Sequence, residues 1–401
     1  MGQPSSTPAP MPTALTELLG CRYPVVQTAM GWVADSKLVA ATSNAGGFGF
    51  LAAATMSTEL LAAEIARVRA ATPHRFGVNF HMFQPNAQDV IELVLSNADR
   101  IRAVSYGRGP DARTIKRFKD AGVLCMPTVG ALKHAQKAVE LGADIITVQG
   151  AEGGGHTGSV PTTLLLPQVL NAVKVPVVAA GGFHDGRGLA GALAFGAAGI
   201  AMGTRFLMTA ESPVPRSTLQ KYLDVREPAQ IRASTAVDGI PQRMIDNRYL
   251  LRLESGGLLR RLLVALGSAW QWRAHTGMSV AHMARTFVGA LREGDSAIQT
   301  MMAANAPVLI QRAMVEGRPD EGVLPSGQVA AVIGSLPSVA ELIDGIVTQA
   351  QARLAALLPP ASLTAASVDG VAAMPSLART ASPSPPAPLP VGEGSVAAAR
   401  S

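Results

Sequence analysis

Between Pro24 and Met202 the chain shows eight short apolar runs, the first seven each followed by a turn and a helical stretch, with the eighth helix still to be placed. The runs fall at residues 24–28, 48–51, 76–80, 101–105, 122–127, 145–148, 175–180 and 199–202. Helical stretches follow at 35–43, 58–71, 86–96, 111–121, 131–141, 162–173 and 188–195, with Asp35 placed to cap the first. The runs are continuously apolar, not alternating, as in strands buried on both faces of a parallel sheet. Eight such units over about 200 residues suit a closed barrel better than an open sheet. An open doubly wound sheet more often carries GxGxxG after its first strand. Here that strand is followed by TAMGWV, and the glycines gather after the sixth, seventh and eighth. The expected fold is therefore α/β, a (β/α)8 TIM barrel over residues 13–205.

After Thr204 the pattern changes. Residues 206–321 read as a helical insertion, or lid, with long candidates at 257–272 and 280–292. It is too long for a loop without its own structure. Residues 322–358 resume helical patterning and are expected to close the barrel. The Pro- and Ser-rich start (1–12) and the Ala/Pro-rich end (359–401) are expected to be disordered.

Hydrophobic residues make up 48% of the 401 and charged residues 15%, enough apolar mass for a large core. No apolar run has the ~18 uncharged residues of a spanning helix, and the first twelve residues lack the regions of a signal peptide. Cys21 and Cys125 stand far apart, without metal-type spacing. They fit a reduced, cytoplasmic setting, and no metal site is expected. A net charge of +6 favours anionic ligands, but no dense basic run supports nucleic-acid binding.

The chemistry is expected after the sixth strand, in QGAEGGGHTG (149–158). Glycine lets backbone approach a phosphate or a flat ring. Gln149 offers a donor and an acceptor to a heterocycle edge. His156 is the residue there that exchanges protons near neutral pH. In such a barrel the site lies at the C-terminal strand ends, with phosphate bound after strands seven and eight. Those loops read Gly181-Gly182-Phe183 and Gly203-Thr204. The helix after Asp185 points its N-terminus the same way.

These stretches, with QTAMG (27–31), NAGGFG (44–49), GVN (77–79), MGTRF (202–206) and SGQ (326–328), resemble the nitronate monooxygenase family of FMN-dependent barrel enzymes over roughly residues 15–350. The resemblance implies that Asn79 and Gln149 hydrogen-bond the flavin, and that Met30 and Gly31 line it. It implies that Gly154, Gly182, Gly203 and Thr204 hold its phosphate, and that His156 takes a proton from substrate carbon before electrons pass to FMN and then O2. Gly153 departs from the Ala usual in the family. The neighbourhoods of Met30 and His156, with the Arg-rich insertion, are most similar to a branch acting on ring-bearing acyl-CoA substrates in steroid breakdown. There Arg248, Arg252, Arg260 and Arg261 would meet CoA phosphates, and another acceptor would replace O2. Expected partners are the small-molecule substrate and that acceptor, with a homodimer compatible with the chain and no nucleic acid or membrane. A barrel of the inosine monophosphate dehydrogenase kind needs a loop cysteine after strand six, and neither cysteine lies there. A non-catalytic phosphate-binding barrel has no need of His156.

Overall fold

The computed structural model describes residues 7–107, 109–276, 302 and 305–357. The expected helix at 280–292, residues 1–6 of the Pro-rich start and the tail over 359–401 lie outside the described residues.

The parallel strands are β1 (Val25–Gln27), β2 (Phe48–Ala52), β3 (Phe76–Asn79), β4 (Ile101–Ser105), β5 (Leu124–Cys125), β6 (Thr128–Val129), β7 (Ile146–Gln149), β9 (Val177–Ala180) and β10 (Gly199–Met202); a short β8 (Gly155–His156) stands apart. Their order is β5-β4-β3-β2-β1-β10-β9-β7-β6. The two ends of that order are one strand. Pro127 has no N–H to donate and splits the fifth run into β5 and β6. Met126 N still bonds Val104 O (2.8 Å) on one side, and Thr147 N bonds Pro127 O (2.9 Å) on the other. The sheet therefore closes as an eight-stranded barrel, with β7, β9 and β10 as its sixth, seventh and eighth strands.

Closure creates an interior that the alternating side chains of the strands must fill. Val26, Phe48, Phe50, Met126, Ile145, Val178 and Ala201 do so, and Leu15 and Leu19 of α1 (Ala14–Leu19) join them. Gly77 is required here: a Cβ on it would lie 2.3 Å from the Phe50 ring. The helices α2 (Ser36–Asn44), α3 (Thr58–Ala71), α4 (Ala87–Ser96), α5 (Ala112–Asp120), α6 (Leu132–Glu140), α7 (Thr162–Ala172) and α8 (Gly186–Ala194) follow the strands in turn. Local chemistry sets their starts. Asp35 caps α2 through Leu38 N, Ser57 caps α3 through Leu60 N, and Asp111 caps α5 through Thr114 N.

Residues 7–12, expected to be disordered, are tied down instead. Pro8 O accepts from Arg22 (2.7 Å) and from the Tyr23 hydroxyl (2.8 Å), and Ala9 O accepts from Gln351 (2.8 Å).

Beyond β10 come α9 (Thr204–Leu207), α10 (Arg216–Leu223), α11 (Arg248–Ser255), α12 (Gly257–Thr276), α13 (Asn305–Met314) and α14 (Val339–Leu357). The last packs back on the barrel: a Cβ on Gly186 would lie 2.3 Å from Ile346 O. The inserted stretch is not wholly helical. It holds an antiparallel hairpin, β11 (Ile231–Ser234) and β12 (Gln242–Ile245), whose second strand pairs with β8. These runs are short and partly polar, and β8 lies far away in sequence, so periodicity gave no sign of the pairing. Among the described residues no helix is long and apolar enough to cross a membrane.

Candidate active site

Parallel pairing puts the loops after every strand at one end of the barrel. There the glycines expected to act together do meet. A Cβ on Gly154 would lie 2.5 Å from Gly327 N and 2.6 Å from Ser326 C. Gly327 N donates to the Thr204 hydroxyl (2.9 Å), and Gln328 N donates to Glu152 O (3.0 Å). The loop after the sixth strand, the loop after the eighth and the segment at 326–328 therefore form one bed. Gly182 joins it with φ +82°, its missing Cβ facing Glu152 Cβ at 3.5 Å. Gly203 faces Thr28 Oγ1 (3.2 Å) and Met30 Sδ (3.6 Å), which brings in the loop after β1.

Glu152 organises the floor of this bed. Its carboxylate accepts from Thr162 N (3.0 Å) and Thr162 Oγ1 (2.8 Å) at the start of α7. At the start of α8, Gly186 N bonds Gln349 Oε1 (2.7 Å) while Arg187 N and Gly188 N bond the capping Asp185 (3.0 and 3.2 Å).

His156 lies on β8, directly paired with Gln242 of β12. Its Nε2 is 2.8 Å from Asp238 Oδ2, with the histidine side chain 54% exposed and that of the aspartate 6%. Gln149 has one amide hydrogen committed to His156 O (2.9 Å). Asn79 likewise gives one to Ser105 O (3.0 Å). Gly31 is exposed beside Trp32, whose φ of 67° is rare for a bulky side chain. The Trp32 indole N–H bonds Pro307 O (3.0 Å) at the start of α13. Of the inserted arginines, Arg261 bonds Leu253 O and Glu254 O (3.4 and 3.3 Å), while Arg248, Arg252 and Arg260 are solvent-exposed.

Two residues escaped the sequence reading. Asp238 lies 82 positions from His156, and only the hairpin brings it there. His81 follows the third strand, its ring stacked on Phe83 (5.0 Å between centroids) and its Nδ1 buried without a hydrogen-bond partner among the described residues. Burial, then the nearby His156, pushes its pKa below the ordinary 6.5. The unfolded chain thus takes up this proton first as pH falls. His81 then costs stability progressively below about pH 6.5 and nothing well above it. Thermal melts from about pH 8 to about pH 5 should show a smaller acid-side loss of Tm in His81→Gln than in the wild type; equal slopes would refute the assignment.

Glycine-rich loops that meet at the strand ends of a closed (β/α)8 barrel, with His156 on the adjoining β8, form the active-site end of a TIM-barrel enzyme. The chain matches the nitronate monooxygenase family model over residues 12–349 and belongs to that family. It is an oxidoreductase, and its family is flavin-dependent. It is 47% identical over 346 residues to the (3aS,4S,5R,7aS)-5-hydroxy-7a-methyl-1-oxo-octahydro-1H-indene-4-carboxyl-CoA dehydrogenase of Rhodococcus jostii (strain RHA1), covering 86% of this chain and 97% of that one. Among solved structures, FabK from Thermotoga maritima superposes with a TM-score of 0.71 at 27% identity, covering 86% of this chain and 98% of that one. Nitroalkane oxidase from Streptomyces ansochromogenes superposes with a TM-score of 0.67 at 26% identity, covering 86% of this chain and all of that one (100%).

Proposed function

We propose that the chain is an FMN enzyme that removes a proton from carbon with His156 and acts on a ring-bearing acyl-CoA. The cofactor reading rests on the bed. Its glycines Gly154, Gly182 and Gly203 let the strand-end loops and the segment at 326–328 close on one another with bare backbone, and the Thr204 hydroxyl stands beside them. Such a surface fits a flat ring with a phosphate tail. Met30 and Gly31 would line the ring, Asn79 and Gln149 would meet its polar edge, and Gly154, Gly182, Gly203 and Thr204 would hold the phosphate. FMN, when bound, supplies the two-electron sink.

The protein's own part is to place an acid–base group and shut out competing groups. His156 takes the proton from the carbon beside the electron-withdrawing carbonyl, while the inserted segment covers one side of the site. The observation that carries the substrate class is 47% identity across nearly the whole of the octahydro-indene-carboxyl-CoA dehydrogenase. Substrate binding would place the CoA phosphates near the exposed Arg248, Arg252 and Arg260. The second reading, oxidation of nitronates with O2 as acceptor, is favoured by the family match and by the resemblance to nitroalkane oxidase.

The purified protein should be yellow and should release FMN on denaturation. Mixed without oxygen, cyclic acyl-CoA thioesters should bleach the flavin faster than nitronates of small nitroalkanes. A colourless protein that takes up no FMN ends the cofactor reading. Bleaching by nitronates alone transfers the assignment to the second reading.

A further inference from the structure

We infer that Asp238, delivered by the segment inserted after the eighth barrel strand, is a positioning residue that makes Nδ1 of His156 the atom accepting the substrate's proton. The inference rests on the reading of His156 as the base. Asp238 is buried, and among the described residues its three side-chain contacts come from donors or from the imidazole. Gln242 Nε2 donates to Oδ2, Ile240 N donates to Oδ1 (3.1 Å), and His156 Nε2 lies 2.8 Å from Oδ2. An ionised carboxylate only accepts, so the imidazole must present a hydrogen at Nε2. Neutral imidazole has one N–H, which leaves the lone pair on Nδ1. Among the described residues Nδ1 makes no hydrogen bond, and the side chain is half exposed.

The placement is rigid for structural reasons. His156 and Gln242 are direct partners in the β8–β12 ladder, and Gln242 also holds the aspartate. Asn305 of α13 fixes the aspartate's loop by donating to Val237 O (2.9 Å). Three separate elements therefore set one carboxylate against one ring nitrogen. After proton transfer the imidazolium faces a buried negative charge, which stabilises it where it forms.

Asp238→Asn keeps the shape but offers an amide that can donate. The imidazole would then turn its N–H to Nδ1 and lose its base. The test is twofold, on the FMN-loaded full chain. First, 15N chemical shifts of the histidine rings, with the His156 signals assigned by their loss in His156→Gln, should report the Nε2–H form in the wild type and the Nδ1–H form in Asp238→Asn. Second, kcat for whichever of the cyclic acyl-CoA thioesters or nitronates bleaches the flavin should fall ~100-fold or more in Asp238→Asn, with KM and flavin content held. An Nδ1–H form in the wild type overturns the inference without any variant. So does an Asp238→Asn kcat near that of the wild type while His156→Ala is inactive. If His156→Ala keeps its turnover, the base reading falls and this inference with it.

Discussion

His156→Ala should be a folded, yellow protein whose turnover is lower by ~100-fold to ~10,000-fold, the range supplied by a positioned general base. The fold should tolerate the change. His156 belongs to a two-residue strand whose pairing with Gln242 uses backbone atoms alone. Its side chain is 54% exposed, so little packing is lost. Asp238 loses one contact and keeps those to Gln242 and Ile240, a cost of about 1–3 kcal/mol at most. Rapid mixing without oxygen reads the chemical step directly, and flavin absorbance in the same sample reports occupancy. Wild-type bleaching in this variant would remove the base from His156. A colourless variant would show that the imidazole supports the bed and not the chemistry.

The second large effect is expected at Gly154. An alanine there would push its methyl to 2.5 Å from Gly327 N and 2.6 Å from Ser326 C, both backbone atoms. Neither can retreat as a side chain would. Moving the segment at 326–328 breaks the bonds from Gly327 N to Thr204 and from Gln328 N to Glu152 O. Overpacking of this kind costs about 1–3 kcal/mol. Because the clash lies in the bed, the loss should show mainly as ~10-fold to ~100-fold weaker FMN binding, with a smaller drop in Tm. Gly191→Ala on α8 is the control, since among the described residues its Cβ would meet nothing within 4 Å. A fluorescence titration that gives Gly154→Ala the wild-type affinity would detach that glycine from the cofactor site.

What the sequence made legible, and what it hid, follows from the range of the interactions. The strands and their helices are encoded locally, by apolar runs and by caps such as Asp35 and Asp111, and they lie where periodicity puts them within a residue or two. The glycine bed was legible because bare turns at consecutive strand ends carry meaning only in a barrel. The fifth strand read as one run, and its division at Pro127 becomes clear only when both neighbours are seen. The hairpin of β11 and β12 was hidden because its stability comes from partners elsewhere in the chain. Asp238 was hidden with it, as an aspartate before Gly239 that reads as an ordinary turn. The partner of the first α8 amide was hidden for a similar reason: Gln349 comes 163 residues later.

The backbone at Trp32 stands in a conformation worth roughly 1–3 kcal/mol of strain for a side chain of that bulk. The indole's grip on Pro307 and the Thr55 hydroxyl's contact with Trp32 N (3.2 Å) keep it there. The same first turn of α13 carries Asn305, which steadies the aspartate's loop. Any displacement of that turn would thus disturb the loop at 32 and slacken the hold on the aspartate together, so the two are mechanically tied.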